Sequence, residues 1–508
     1  MLPKHSIFRN ALLLTAIDLL LRGISMSFQI YLSGVIGAAG LGLLQLVAAV
    51  GTLGMTLGLS GVRTAAMYLC AEEYGKRRPG GMRHVMRLCI LWSSVFSILT
   101  AAALWGFSNQ LAAVWLKDLR AASGLRILAL SLPVECLVCV LCGYFTACGK
   151  LRRLACVEVA ERLVSLALTF LLLRLWAHSE LERACCSLLL GGGGAAVFSA
   201  VWLGLLMRKD FRQYPPVPQP PQLPRRLCRL CVPLALGDYL RSGLRTLEQL
   251  LIPLGLERSG GSTGSAMAAY GTIHAMVFPI LMFPAAIIFS LSELLIPELA
   301  RCRAEGNSRR ILHLTGRCLR LGPVFACGVS ALQFLLARPL GMLFYQSEEA
   351  GHYLRLFAPL IVILYADALV DGMCKGLGQQ TANVRNNTIT SLLDVALLYL
   401  LLPRWGIGGY FFTFVLTHAL NFYLSLRLLL DASGSALPLG PLAKTALCAL
   451  ASAAACLLLP ERGQRLLQIL RTCGLFLAAY LPLLYLTGAL VPNDRRWLRR
   501  TLSRGKGH

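Results

Sequence analysis

Apolar residues fill this chain in long unbroken runs, not at alternating positions. The runs last about 18–25 residues, the length a helix needs to cross a hydrocarbon layer about 30 Å thick. Basic or Pro/Gly-rich links separate them. A window of about 19 residues places about fourteen spans. Their centres fall near Arg22, Gly51, Val95, Cys136, Ala167, Ala196, Leu240, Ile280, Ala326, Ile363, Val395, Val415, Ser452 and Ala478. Strands of a membrane barrel would alternate apolar and polar residues, so continuous runs exclude one. The pattern predicts an all-α polytopic membrane protein.

The links predict orientation. One alternating set holds "CAEEYGKRRPGGMRH", "CGKLRR", "MRKDFRQYPPVPQPPQLPRR", "RCRAEGNSRRILHLTGR" and both termini. It carries most of the Lys and Arg, while the other set, with "AHSELER" and "ERSGGSTGS", carries few. Lys/Arg bias marks the cytoplasmic side, so both termini are expected on the cytoplasmic face of the cell membrane. Residues 208–228 form the longest link. Pro215, Pro216, Pro218, Pro220, Pro221 and Pro224 favour an extended, semi-rigid spacer there.

An internal repeat divides the chain. Residues 124–173 align without gaps on 353–402, matching Arg126 to Arg355, Gly143 to Gly372 and Gly149 to Gly378. Both copies follow four or five crossings, so the repeat is parallel and relates two six-helix lobes. The expected organisation is a lobe over 1–207, a basic Pro-rich linker over 208–228 and a second lobe over 229–432. Two additional spans over 433–490 and a basic tail over 491–508 complete it.

Composition narrows the class. Of 508 residues, 56% are hydrophobic and 14% charged, where a soluble protein carries about a quarter charged. Lys plus Arg number 49 against 24 acidic residues, a net +25. With no basic soluble domain, this excess fits the positive-inside rule and anionic membrane lipid, not nucleic acid. The 18 cysteines lie mostly in apolar runs and read as small packing residues. Cys228 and Cys231 form a CxxC with no second pair at zinc spacing. The first run is too long for a signal-peptide core and ends in no clear cleavage site, so it reads as a first span.

Charges inside spans are the candidate chemistry. An ionisable residue at mid-membrane costs about 2.5–3.5 kcal/mol on insertion scales and faces the bundle interior or a wet cavity. In the first span Thr15, Asp18, Arg22, Ser25 and Gln29 form one stripe at the helical step of roughly 100°. In the seventh, Asp238, Arg241, Arg245 and Glu248 share one side. The fifth carries Glu158, Glu161, Arg162, Ser165 and Thr169. The tenth carries Asp367, Asp371 and Lys375, and the eleventh Asp394. Each set reads either as ion pairs within a packed bundle or as the wall of a cavity. "LGGGGAAVF" (190–198) reads as a close helix contact. Pro279, Pro284 and Pro297 predict a bent eighth span. The chain has no GxxxxGK[ST] and no HExxH, and no soluble domain to house an enzyme site. No enzyme activity, cofactor or metal is expected.

The stretch "RNALLLTAIDLLLRGISMSFQIYLSGVIGAAGLGLLQL" (9–46) resembles the polysaccharide-exporter branch of the multidrug/oligosaccharidyl-lipid/polysaccharide flippase superfamily. "AYGTIHAMVFPILMFPAAIIFSLSELLIPELA" (269–300), "GYFTACGK" and "GMCKGLGQ" are similar to stage V sporulation protein B-like members. The resemblance covers nearly the whole chain. It implies two lobes in a V and alternating access. It implies flipping of an undecaprenyl-pyrophosphate-linked oligosaccharide or peptidoglycan precursor for cell-wall synthesis or sporulation. In related flippases, cavity arginines hold the pyrophosphate. Arg22 matches best, and Arg241 and Arg245 fit by role. Asp18, Asp238 and Glu248 would support these arginines while the site is empty. Asp18 beside Arg22 is less typical of lipid II flippases. Without a nucleotide loop, transport draws on an ion gradient, the membrane potential or the substrate gradient. Asp367 and Asp394 are candidates to bind H+ or Na+. A cation-coupled multidrug antiporter of the same superfamily and a non-transporting wall-synthesis scaffold are the competing readings.

Reporter fusions after Arg226 and after His508 are expected to read cytoplasmic. An external signal at either position overturns the topology.

Overall fold

The computed structural model describes residues 4–75, 79–176, 181–215, 222–458 and 465–489, and among them no strand occurs. Contacts divide the chain into two compact units: Tyr31–Gly271, and the residues up to Ile30 together with those from Thr272 onward. The 31–271 unit holds the greater part of α1 (Lys4–Leu59), then α2 (Val62–Gly75), α3 (Met82–Gly106), the short α4 (Ser108–Gln110), α5 (Ala121–Ala147), α6 (Leu151–Trp176), α7 (Leu181–Gln213), α8 (Leu223–Arg258) and α9 (Thr263–Gly271). The other unit holds the start of α1 with α10 (Phe278–Met282), α11 (Ala285–Ala304), α12 (Ser308–Phe344), α13 (Glu348–Phe357), α14 (Ile361–Gly376), α15 (Gln380–Ser433), α16 (Leu439–Leu457) and α17 (Arg465–Leu486).

Every one of the predicted span centres falls in a helix. Among the described residues, 10 helices are long and apolar enough to cross a membrane. Two of them do not run straight. α1 has 56 residues and breaks at Gly37 (φ 68°), and α15 has 54 and breaks at Gly406 (φ 55°). Only glycine adopts such angles at little cost. At about 1.5 Å per residue each helix far exceeds one bilayer crossing. The bend expected near Pro284 is present: a π-helical turn at Thr272–Val277 and a break after Met282 precede α11.

Within the 31–271 unit a buried cluster joins α2, α3, α5 and the start of α8 around Met82, Met86, Tyr144, Phe145 and Cys231. Phe211, before the Pro-rich link, and Leu223 and Leu227, after it, bury in this same cluster. Ion pairs reinforce both ends. Asp210, 4% exposed, binds Lys150 at 2.6 Å and Arg153 at 3.1 Å, and Arg226 binds Glu72 at 2.5 Å. Burial opposes the charge of Lys150, yet its bond to Asp210 holds its pKa above the ordinary value. Both ends of the link are thus fastened to one unit, and α8 packs with α2.

The repeat has matching structural roles. Gly143 lets α5 approach the Arg63 carbonyl, 3.1 Å from where a Cβ would stand, and Gly372 lets α14 approach Ser292. Gly149 and Gly378 end their helices at φ 68° and 67°. Arg126 fastens α5 to Ser108 and Asn109, and Arg355 lies over the Phe334 ring at 4.7 Å. All 18 cysteines are free thiols.

The glycine run is a packing device. Gly191 would place a Cβ 3.0–3.1 Å from the Thr169 backbone, Gly193 one 3.0 Å from Ser131 Cβ and Gly194 one 2.9 Å from Leu168. Gly192 faces open space. Helices in lipid gain from such close approach, since no hydrophobic force drives them together. Gly191→Ala is therefore expected to lower the melting temperature of the detergent-solubilised protein, with about 1–3 kcal/mol of overpacking. Gly192→Ala should leave it unchanged or raise it, since Ala favours a helix by about 1 kcal/mol. Equal effects of the two substitutions overturn this account.

Candidate anion-binding site

α1 enters the site with Ala49, Thr52, Thr56 and Leu59 on one helical face. Thr52 and Thr56 donate their hydroxyls back to the carbonyls of Ala48 and Thr52, at 2.8 and 2.9 Å. The helix then stops at Ser60 (φ 46°) and Gly61 (φ 72°). The missing side chain of Gly61 admits the backbone of α8: Cys231 O and Ala235 N lie 2.9 and 3.0 Å from where its Cβ would be. Tyr239 of α8 closes the same corner. It hydrogen-bonds Ser60 Oγ and donates to Leu57 O at 3.3 Å. α2 starts after this break and brings Arg63 and Thr64 to the cavity lining.

Opposite stands α8 with Asp238, Arg241, Ser242, Arg245, Thr246 and Gln249, spaced three and four apart. Together these residues line a cavity of about 440 Å³. It holds three guanidiniums, from Arg63, Arg241 and Arg245, and one carboxylate, from Asp238. Among the described residues none of these four groups forms an ion pair. Asp238 shares the cavity lining with Arg241 and Arg245 and forms no ion pair with either. Like charges gathered in one cavity repel. An anion entering here relieves that repulsion and gains charge-assisted hydrogen bonds.

The other sequence candidates lie elsewhere. Glu248 is not in the cavity lining and lies within electrostatic reach of Tyr270 in α9. Arg22 belongs to the second unit, its guanidinium 5.6 Å from the Phe289 ring. The side chain of Asp18 lies outside the described residues, and with it the expected pair to Arg22. In the second unit Asp367 accepts from Asn421 at 3.1 Å, while its other oxygen is buried without a partner. Asp394, 7% exposed, accepts from Thr417 at 2.7 Å. Asp371 binds Lys375 at 2.6 Å. Arg63 is the cavity residue that the stripe analysis missed. Its signal was the Ser60–Gly61 pair interrupting an apolar run just before an arginine.

The family model MatE matches residues 16–171 and 262–400. The chain belongs to the MatE family. Stage V sporulation protein B of Bacillus subtilis (strain 168) is 21% identical over 416 residues, 80% of each chain. Among solved structures, the lipid II flippase MurJ in an inward closed conformation superposes with a TM-score of 0.74 at 11% identity, covering 94% of this chain and 99% of that one. An inward-facing multidrug resistance MATE transporter gives 0.59 at 16%, covering 82% and 93%. These identities establish a shared fold. The MatE chain described here is a multi-pass membrane protein of flippase/transporter type.

Inorganic pyrophosphate is expected to raise the melting temperature of the solubilised protein. A ligand at 100 times its Kd adds about 2.7 kcal/mol to a fold that alone binds it. Arg63→Gln should shrink this shift, and Arg241→Gln with Arg245→Gln should abolish it. A shift that survives the double substitution places the anion elsewhere.

Proposed function

We propose that the protein flips an undecaprenyl-pyrophosphate-linked oligosaccharide or peptidoglycan precursor across the cytoplasmic membrane by alternating access. The observation that carries this reading is the cavity charge, three arginines against one aspartate. Arg63, Arg241 and Arg245 would hold the pyrophosphate, since a guanidinium fork matches phosphate oxygens two at a time and stays charged at any biological pH. The hydroxyls of Thr52, Thr56 and Ser242 and the amide of Gln249 suit the sugar beside it. Arg22 is proposed as a further phosphate contact on the family resemblance. The similarity to stage V sporulation protein B and to the MurJ fold supports a lipid-linked substrate. The antiporter reading finds less support here, because a cationic drug would enter a cavity of its own sign.

The rest of the reading follows from the sequence. Both termini are cytoplasmic, two six-helix lobes alternate, and residues 433–490 add two spans. Asp367 and Asp394 are candidates for H+ or Na+. One charge moving down 100 mV supplies about 2.3 kcal/mol.

Reconstitution tests the proposal. Wild-type protein in liposomes is expected to translocate a fluorescent undecaprenyl-pyrophosphate sugar. Arg241→Lys and Arg245→Lys should each slow it about tenfold or more, because lysine keeps the charge but loses the fork. The folded yield of both variants should match wild type. Wild-type rates in both variants overturn the phosphate role.

A further inference from the structure

Arg63 has two unlike neighbourhoods. One is the cavity it lines with Arg241 and Arg245. The other is reached through α5, whose Gly143 touches the Arg63 backbone. Glu135, Cys139, Cys142 and Gly143 share one face of that helix by their spacing. Three carboxylates gather beside this face. Glu135 accepts from Ser131 at 2.9 Å, and Glu161 of α6 accepts from Ser199 of α7 at 2.7 Å. Glu158, a turn before Glu161, lies within electrostatic reach of Glu161, Arg63 and Arg162. Cys139 and Cys142, on that face of α5, lie within electrostatic reach of both Arg63 and Glu161. The charged and titratable groups around Arg63 are Glu135, Glu158, Glu161, Cys136, Cys139, Cys142 and Arg162 on one side and Asp238, Arg241 and Arg245 in the cavity. Arg63 is exposed and forms no ion pair among the described residues. Its long side chain is tied to neither neighbourhood.

We propose that Arg63 couples anion binding to proton uptake. With the cavity empty, its charge offsets the Glu135–Glu158–Glu161 cluster. A pyrophosphate in the cavity draws the guanidinium to itself, and Glu158 or Glu161 then takes one proton from the aqueous phase. Coupling of this kind is reciprocal, so a bound proton strengthens anion binding and affinity rises as pH falls. The inference rests on the cavity being an anion site.

Calorimetric titration of the full-length protein with undecaprenyl pyrophosphate, in two buffers of different ionisation enthalpy, counts the protons taken up on binding. Wild type is expected to gain between half a proton and one near neutral pH. The Glu158→Gln, Glu161→Gln double variant should bind within about threefold of wild-type affinity and gain markedly fewer protons, which also separates the cluster from protonation of the ligand itself. Arg63→Gln should lose about tenfold in affinity, the scale of one charge-assisted hydrogen bond, together with the proton gain. Arg63→Lys should keep the proton gain at weaker affinity. Binding without proton uptake, or an unchanged proton count in the double variant, overturns the coupling and leaves the anion site standing. No binding in wild type overturns both.

Discussion

The contact between Gly61 and the backbone of α8 sets the arrangement of the 31–271 unit. α8 is among the more heavily charged of the long helices and is not one of the ten described helices long and apolar enough to cross a membrane. Such a helix is tolerated in a membrane protein where its polar side meets a polar wall. Gly61 brings the α8 backbone against the end of α1, and Ser60, Leu57 and Tyr239 fix the rotation about that point. Any side chain at residue 61 would hold the helices apart and would also suffer at φ 72°. With the contact made, Arg241 and Arg245 face the threonines of α1, and the break swings Arg63 to the same space. One glycine thus supplies both the close approach and the change of direction that a three-arginine cavity requires.

The same economy recurs through the repeat. Gly143 and Gly372 occupy matching positions, and each admits a neighbouring helix. Gly149 and Gly378 terminate the same helices in the two copies with nearly the same angle. Low identity between the copies is therefore compatible with a duplicated scaffold, because lipid-facing leucines exchange freely and backbone contacts do not. Gly191, Gly193 and Gly194 extend the device to α7, where α5 and α6 press close.

Hydropathy made the helices legible, because a bilayer leaves a backbone few other ways to satisfy its hydrogen bonds. The α8 stripe was legible for a related reason: a charged face on an apolar helix has few permitted surroundings. Arg63 was not legible, since helical periodicity cannot run through a break and the direction of α2 depends on tertiary contact at Gly61. Glu248 shows the opposite limit. It shares the α8 stripe, yet its neighbour is Tyr270 of α9 and not the cavity. The Pro-rich link reads as a spacer by composition. Its ends are nevertheless held, because Phe211, Leu223, Asp210 and Arg226 flank the prolines and find apolar or charged partners in one unit.

The described cavity in 31–271 concentrates guanidiniums, whereas α14 and α15 place Asp367 against the Asn421 amide and bury Asp394 against the Thr417 hydroxyl, with Asp371 paired to Lys375. A carboxylate held by neutral donors keeps its affinity for small cations, and a guanidinium without a carboxylate keeps its affinity for phosphate. Had Asp238 closed on Arg241 or Arg245, an arriving anion would first have to break that pair, and much of its binding energy would go to the exchange. The open arrangement keeps that energy available, so the cavity is prepared for an anion by what its arginines do not bind.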